Sequence, residues 1–370
     1  MFTEFSLGIT RPRVKPEHAP YRIRGGKIRI GGICYGIAAE IDDPGGWVWT
    51  LLMSMDGSHD LEAVIEQVRQ AHPGVTAGSA QRAAQQLIAA GYVEDVGGAL
   101  PTDLTERDIE RYDRAVGFFR WMDLSPRGSC WEPQGLLKAA KVTVLGLGGT
   151  GSVAAFALAA AGVGTLLCVD HDAVELSNLC RQILYTESDI GRLKTSAAVG
   201  RLQQLNSDIT VTGECVEVQS VADVSRLASD CDVLVLAADH PRELPDWVNQ
   251  GCLVMGRPWV WAGYNGPQVL GASFVPGTGA CLACTQAMIR EQAAALVEYA
   301  EEPAEPPHAV GAVSAGISGY LAAHHAIALL TGVPPVTPGR LDVVNLAALG
   351  EMSSVTGQRL ADCPACGGSG

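Results

Sequence analysis

An α/β fold is predicted: a doubly wound, Rossmann-like domain over residues 136–370, preceded by a small winged-helix domain over residues 21–100. Three observations predict it. Residues 142–169 run strand, glycine-rich loop, helix, strand without one charged side chain. Apolar runs at Val233–Ala237 and Trp259–Ala262 supply further buried strands, the pattern of a parallel sheet covered on both faces. Short strands and three short helices precede them.

Composition sets the frame. At ~150 residues per domain, 370 residues allow two or three domains. Hydrophobic residues reach 47% and charged ones only 18%, below the ~25% usual for soluble domains, so core material is ample. The net charge of −14 is unevenly spread. Residues 1–30 carry seven basic and two acidic side chains, whereas residues 136–370 carry twelve and twenty-two. That balance disfavours a nucleic-acid partner, and none is expected. The basic N-terminal segment suits an acidic peptide, or is a solvated tail.

The start of the chain lacks the apolar stretch of a signal peptide, and eleven cysteines then imply a reducing, cytoplasmic setting. Gly146, Gly148, Gly149, Gly151, Gly162 and Gly164 interrupt the charge-free run, so no membrane partner is expected.

The elements follow in order. Residues 1–20 read as a flexible arm with three prolines. Ile23, Ile28, Ile30 and Ile33 mark short strands broken at paired glycines. Trp47, Val48, Leu51 and Leu52 mark one helix. Asp60 caps a second, with Leu61, Val64, Ile65 and Val68 on one face, and Ser79 caps a third. Residues 101–135 form a linker containing a charged helix over Thr105–Met122, with 123–135 as loop. Ser152–Ala161, Ala287–Tyr299 and Val313–Leu330 read as helices, with an acidic, proline-rich loop between the last two.

Gly146-Leu-Gly-Gly-Thr-Gly151 fits G-x-G-x-x-G between a strand and a helix. Such a loop lets phosphate approach the backbone at a helix N-terminus. Asp170 ends the next strand, where an acid can bind ribose hydroxyls. These residues alone leave NAD and ATP open.

The segment Asp170-His-Asp172-Ala-Val-Glu-Leu-Ser-Asn178-Leu-Cys-Arg181-Gln182 resembles the signature of the ubiquitin-activating-like adenylating enzymes, the ThiF/MoeB superfamily. Gly191-Arg-Leu-Lys194 resembles their lysine motif, Arg111-Tyr-Asp-Arg114 their helical R-Y-x-R segment, and Asp239 their metal-binding aspartate. The resemblance implies ATP and Mg²⁺ as cofactors and adenylation of a carboxylate with release of pyrophosphate. Asn178, Arg181 and Lys194 would hold the phosphates, with Gln182 and Asp172 beside them. Asp239 would hold Mg²⁺. Arg114 would act in the partner protomer's site, so a homodimer is expected. His240 follows Asp239 where the family usually has asparagine.

Cys281-x-x-Cys284 and Cys363-x-x-Cys366 form two knuckles 82 residues apart, the donor set of a structural Zn²⁺. The other seven cysteines lie outside these knuckles. No cysteine stands between Cys284 and Cys363, where family members that form thioesters place one.

Residues 43–95 resemble the PqqD-like recognition element of ribosomally made peptide (RiPP) pathways. The resemblance implies a leader peptide added as a strand to a sheet edge bordered by Arg22, Arg24, Lys27 and Arg29. Together the two resemblances imply adenylation of a precursor-peptide carboxylate, followed by cyclisation or conjugation. The alternatives are a non-catalytic leader-presenting partner of an azoline-forming cyclodehydratase and a sulfur-carrier-protein adenylyltransferase.

Overall fold

The computed structural model describes residues 9–296, 309–348 and 350–367. Residues 1–8 of the expected arm, the end of the helix expected to Tyr299, the acidic loop with His308, and residues 368–370 lie outside them. The chain divides into two compact units, Met1–Gly135 and Leu136–Gly370.

In the first unit, β1 (Pro12–Val14) pairs antiparallel with β5 (Val93–Asp95). Strands β2 (Tyr21–Ile23), β3 (Lys27–Ile30) and β4 (Ala39–Asp42) form an antiparallel sheet in that order. Helices α1 (Trp47–Ser54), α2 (Leu61–Ala71) and α3 (Ala77–Ala89) share one core with it. Ile28, Ile30, Leu51, Val64, Val68 and Ala84 are fully buried there, as expected, whereas Ile33, expected in a strand, lies in a turn outside the sheet and is exposed.

Three details differ from expectation. The expected arm contains β1 and a helical turn at Pro16–His18, because the β1–β5 ladder and buried His18 anchor it. Helix α3 begins earlier, since Thr76 rather than Ser79 takes extended backbone and accepts from the Ser79 N–H. The expected loop at 123–135 ends in α5 (Glu132–Ala139). Before it, α4 (Glu106–Met122) starts at Thr105, whose capping box with Asp108 satisfies both backbone ends.

The second unit is built on an eight-stranded sheet. In chain order it comprises β6 (Lys141–Leu145), β7 (Thr165–Val169), β8 (Thr210–Glu214), β9 (Val233–Leu236), β10 (Trp259–Asn265), β11 (Gln268–Phe274), β12 (Arg340–Asn345) and β13 (Met352–Thr356). The spatial order is β13-β12-β11-β10-β9-β6-β7-β8. The ladders from β8 through β10 are parallel, and those from β10 to β13 are antiparallel. The chain leaves β6 toward β7 and β8, then returns to β9 on the other side. That reversal opens a crevice at the carboxyl ends of β6 and β9.

Helices α6 (Gly149–Ala161), α7 (Lys194–Leu205), α8 (Val221–Ala228), α9 (Leu244–Met255), α10 (Leu282–Leu296) and α11 (Ala312–Thr331) accompany the sheet. Helix α11 is long and apolar enough to cross a membrane, yet it packs on α6, β10 and β11. A Cβ on Gly319 would stand 2.4 Å from Val153 Cβ, so the small residue sets the close approach of α11 to α6. Thr150 and Ser318 share a hydrogen bond of 2.7 Å across that contact. The neutrality of 142–169 follows: most residues of β6, α6 and β7 are buried.

Candidate active site

The crevice contains a cavity of about 620 Å³. Gly146, Gly148 and Gly149 form its floor, with Asp170, Asp172 and Lys194 along one wall. Arg181, Gln182, Asp239 and Tyr264 also line it.

The glycines divide the work of the loop. Gly146 has φ +92°, and a Cβ there would meet Ala238 Cβ at 2.7 Å and Ala237 O at 2.8 Å. It makes the turn possible. A Cβ on Gly148 would find only Gln182 Nε2, at 3.9 Å, so that face opens on the cavity. Gly151 does not line the cavity; its Cβ would fall 1.8 Å from Gly146 O, so it serves loop-to-helix packing.

Asp170 braces the loop. Its Oδ2 accepts from Leu147 N at 2.7 Å and its Oδ1 from Asp172 N at 2.8 Å. Both oxygens are thus engaged by backbone. Tyr185, which sequence reasoning missed, donates to Leu147 O at 3.1 Å from the other side. Lys194, 5% exposed at the start of α7, places Nζ 2.7 Å from Asp172 Oδ2 and 3.9 Å from Asp170 Oδ1. Burial raises the Asp172 carboxyl, but Lys194 outweighs it and holds the group below the usual carboxylate range.

Two buried polar atoms in the cavity wall, Arg181 Nε and Gln182 Oε1, have no hydrogen-bond partner among the described residues. Buried donors and acceptors left in this way are what a bound polar ligand satisfies. The glycine floor, the two cations and the open Arg181 N–H suit a polyphosphate, and the Gln182 carbonyl oxygen suits a ligand N–H or O–H.

Residues 120–365 match the ThiF family. The chain belongs to the ThiF family. It is an ATP-dependent adenylyltransferase. It is 33% identical over 272 residues to the sulfur carrier protein ThiS adenylyltransferase of Escherichia coli (strain K12), covering 72% of this chain and 98% of that protein. It is 31% identical over 274 residues to protein HesA, vegetative, of Trichormus variabilis, covering 72% and 92%. The crystal structure of E. coli MccB superposes with a TM-score of 0.78 at 21% identity, covering 96% of each chain. The crystal structure of PaaA gives 0.68 at 22%, covering 93% of this chain and 99% of that one. These two likenesses show a shared fold.

The other expected site residues of this ThiF-family chain differ in their relation to the cavity. Asn178 is buried in a helical turn, where its Oδ1 accepts from Glu175 N at 3.1 Å. Arg114 lies on α4 in the first unit, with its side chain fully exposed. Asp239 lines the cavity and is exposed. Tyr264 was also missed; the expected strand stopped at Ala262, whereas β10 runs to Asn265 and carries Tyr264 into the wall.

The four knuckle cysteines converge. Sγ separations are 3.8 Å for Cys281–Cys284, 3.7 Å for Cys281–Cys363 and 3.6 Å for Cys284–Cys366. Zn–S bonds of about 2.3 Å in a tetrahedron require S···S edges of about 3.8 Å. The donor set and its spacing fit zinc. The cluster is buried and joins the start of α10 to the chain beyond β13.

In the first unit the expected basic edge is partly neutralised. Lys27 Nζ lies 3.8 Å from Glu40 and 3.6 Å from Asp42, and Arg29 lies 2.9 Å from Glu40. The Arg22 guanidinium sits 4.7 Å from the Trp49 ring centroid, and Arg24 is exposed in the turn between β2 and β3.

Proposed function

We propose that this chain adenylates a carboxylate of a ribosomally made precursor peptide bound through its leader. The ThiF match begins at residue 120, and we take most of the first unit, which lies ahead of it, as an addition to the adenylating core. That addition carries the reading. Its three-stranded sheet has an outer strand, β2, whose Arg22 packs on Trp49 of α1, a place for an extended peptide to add beside a helix. We read it as a PqqD-like winged helix, with Arg24 the cation left for an acidic leader. The MccB fold likeness spans 96% of this chain, and MccB has been solved with N-formylated MccA and with succinimide.

A peptide carboxylate oxygen attacks the α-phosphorus of ATP, and the bond to pyrophosphate breaks. Arg181 and Lys194 neutralise charge on the phosphates, and Gln182 and the glycine-loop backbone orient them. Asn178 keeps the Arg181 segment in place. Asp239 would hold Mg²⁺, which adds positive charge against the phosphates. Cys281, Cys284, Cys363 and Cys366 would hold a structural zinc. Arg114 reaches the site of a second copy in a homodimer. A nucleophile within the peptide, or a small molecule, then attacks the acyl carbonyl and AMP leaves, giving a ring in the first case and a conjugate in the second, in the cytoplasm.

Identity to the ThiS adenylyltransferase favours a second reading, a sulfur-carrier activator. Pyrophosphate–ATP exchange separates the two. Exchange stimulated by a leader-bearing peptide supports the first, and exchange only with a small protein ending in Gly-Gly supports the second. Arg114→Ala and Asp239→Ala chains, each inactive, should regain exchange when mixed; no recovery removes the role in trans.

A further inference from the structure

We propose that Tyr264 is a positioning residue for adenylation: its hydroxyl holds the Arg181 guanidinium over the glycine loop, so that the arginine meets the triphosphate already oriented. A Cβ placed on Gly149 would lie 3.4 Å from Tyr264 Oη and 3.5 Å from Arg181 Cδ. Both side chains therefore close over the same point of the loop backbone. The charge of the Arg181 guanidinium acts on the Tyr264 hydroxyl, and the shared approach to Gly149 places the two within reach of each other. A guanidinium only donates, so the phenol oxygen is the acceptor. Arg181 Nη1 donates to Ser177 O at 2.9 Å, which fixes a second point of the fork. Nε is then left buried in the cavity wall without a partner.

The platform is rigid. Tyr264 pairs with Val269 across the β10–β11 hairpin, whose ladder is continuous from Trp259↔Phe274 to Asn265↔Gln268. An arginine carries much rotamer freedom, and capture in advance removes that cost from ligand binding. Anchored to Ser177 and Tyr264, Arg181 offers its remaining N–H groups, Nε among them, to an anion without searching for it.

The inference rests on the assignment of Arg181 to the phosphates. Its test is a double-mutant cycle read by calorimetric titration of the full chain with ATP plus magnesium, and separately with adenosine. Tyr264→Phe keeps the ring and removes the hydroxyl. It should weaken ATP about 5- to 10-fold, the scale of one ordinary intramolecular hydrogen bond, and leave adenosine unchanged. In an Arg181→Ala background the same substitution should change ATP affinity less than about twofold. Equal losses for ATP and adenosine, no loss, or additive losses in the two backgrounds would overturn the role of Tyr264 alone. An Arg181→Ala chain that binds ATP like the wild type would overturn the assignment of Arg181 itself, and this inference with it.

Discussion

The Lys194 ammonium sits 2.7 Å from an Asp172 carboxylate oxygen inside the cavity that suits a polyphosphate. Asp170 lies 3.9 Å from the same ammonium. Two carboxylates and one buried cation thus occupy the wall that faces an anionic ligand. Without the cation, the carboxylates would repel the triphosphate. Lys194→Met should therefore weaken ATP by about 100-fold, the upper scale of one charge-assisted hydrogen bond to the phosphates. Adenosine, lacking phosphates, should lose less than about fivefold. Equal losses in a titration would show that Lys194 supports the fold and not the phosphates.

The glycine loop allows packing and binding to be separated. Gly151→Ala forces a Cβ to 1.8 Å from a backbone oxygen, so the loop or α6 must shift. The melting temperature should fall, with a cost of about 1–3 kcal/mol or more, and ATP affinity should fall with it. Gly148→Ala meets nothing closer than 3.9 Å and keeps a negative φ of −71°. It should melt within about 2 °C of the wild type while losing ATP affinity, because the methyl occupies the phosphate's approach. Matched melting losses in the two variants would contradict this division.

Zinc removal gives a third expectation. The four sulfurs tie the start of α10 to the chain after β13, which links β13, the edge strand, back to the centre of the unit. Purified protein should contain one zinc per chain by elemental analysis, and Cys284→Ser should contain less. Because zinc holds two distant segments together, chelation during mild urea treatment should unfold the β11–β13 edge before the parallel strands. Hydrogen exchange that stays unchanged at β12 and β13 after zinc loss would argue against a structural role.

Some parts were legible because their signals are local. The β6–loop–α6–β7 unit follows from one charge-free run and a glycine spacing, and Asp60 and Thr105 are caps readable from neighbouring residues. Others were not legible because contacts distant in sequence decide them. Strands β11, β12 and β13 carry mixed polar residues, and their ladder depends on register with β10 across the sheet. Pro12–Val14 is too short for a period, yet pairing with residues 93–95 makes it a strand. At the site, Lys194, Arg181 and Asp239 could be found by motif spacing. Tyr264 could not, since only the β10–β11 register carries it beside Gly149.

His18 supplies the pH prediction. It is fully buried, and its ring packs edge-on against Tyr92 and Trp121, 5.4 and 5.8 Å away between centroids. Nε2 lies 3.0 Å from Trp121 O, a carbonyl that only accepts, so Nε2 carries the proton. Charging the ring would add a proton at Nδ1, which is buried without a partner among the described residues. Burial, then Lys15, therefore pushes the pKa below the ordinary 6.5, while Trp121 O and Glu17 only partly oppose this. The unfolded chain takes up a proton below pH 6.5 before the folded chain does. Stability is then full above that pH and falls as pH drops through the window beneath it, by at most about 1.4 kcal/mol per unit. His324 and His325 shift in the same direction, so the whole chain should lose stability on acidification. The share of His18 is isolated by His18→Gln, whose amide can still donate to Trp121 O but does not titrate. Between pH 7.5 and 5.5, the urea midpoint of the wild type should fall further than that of the variant. Parallel declines in the two proteins would remove His18 from the pH response.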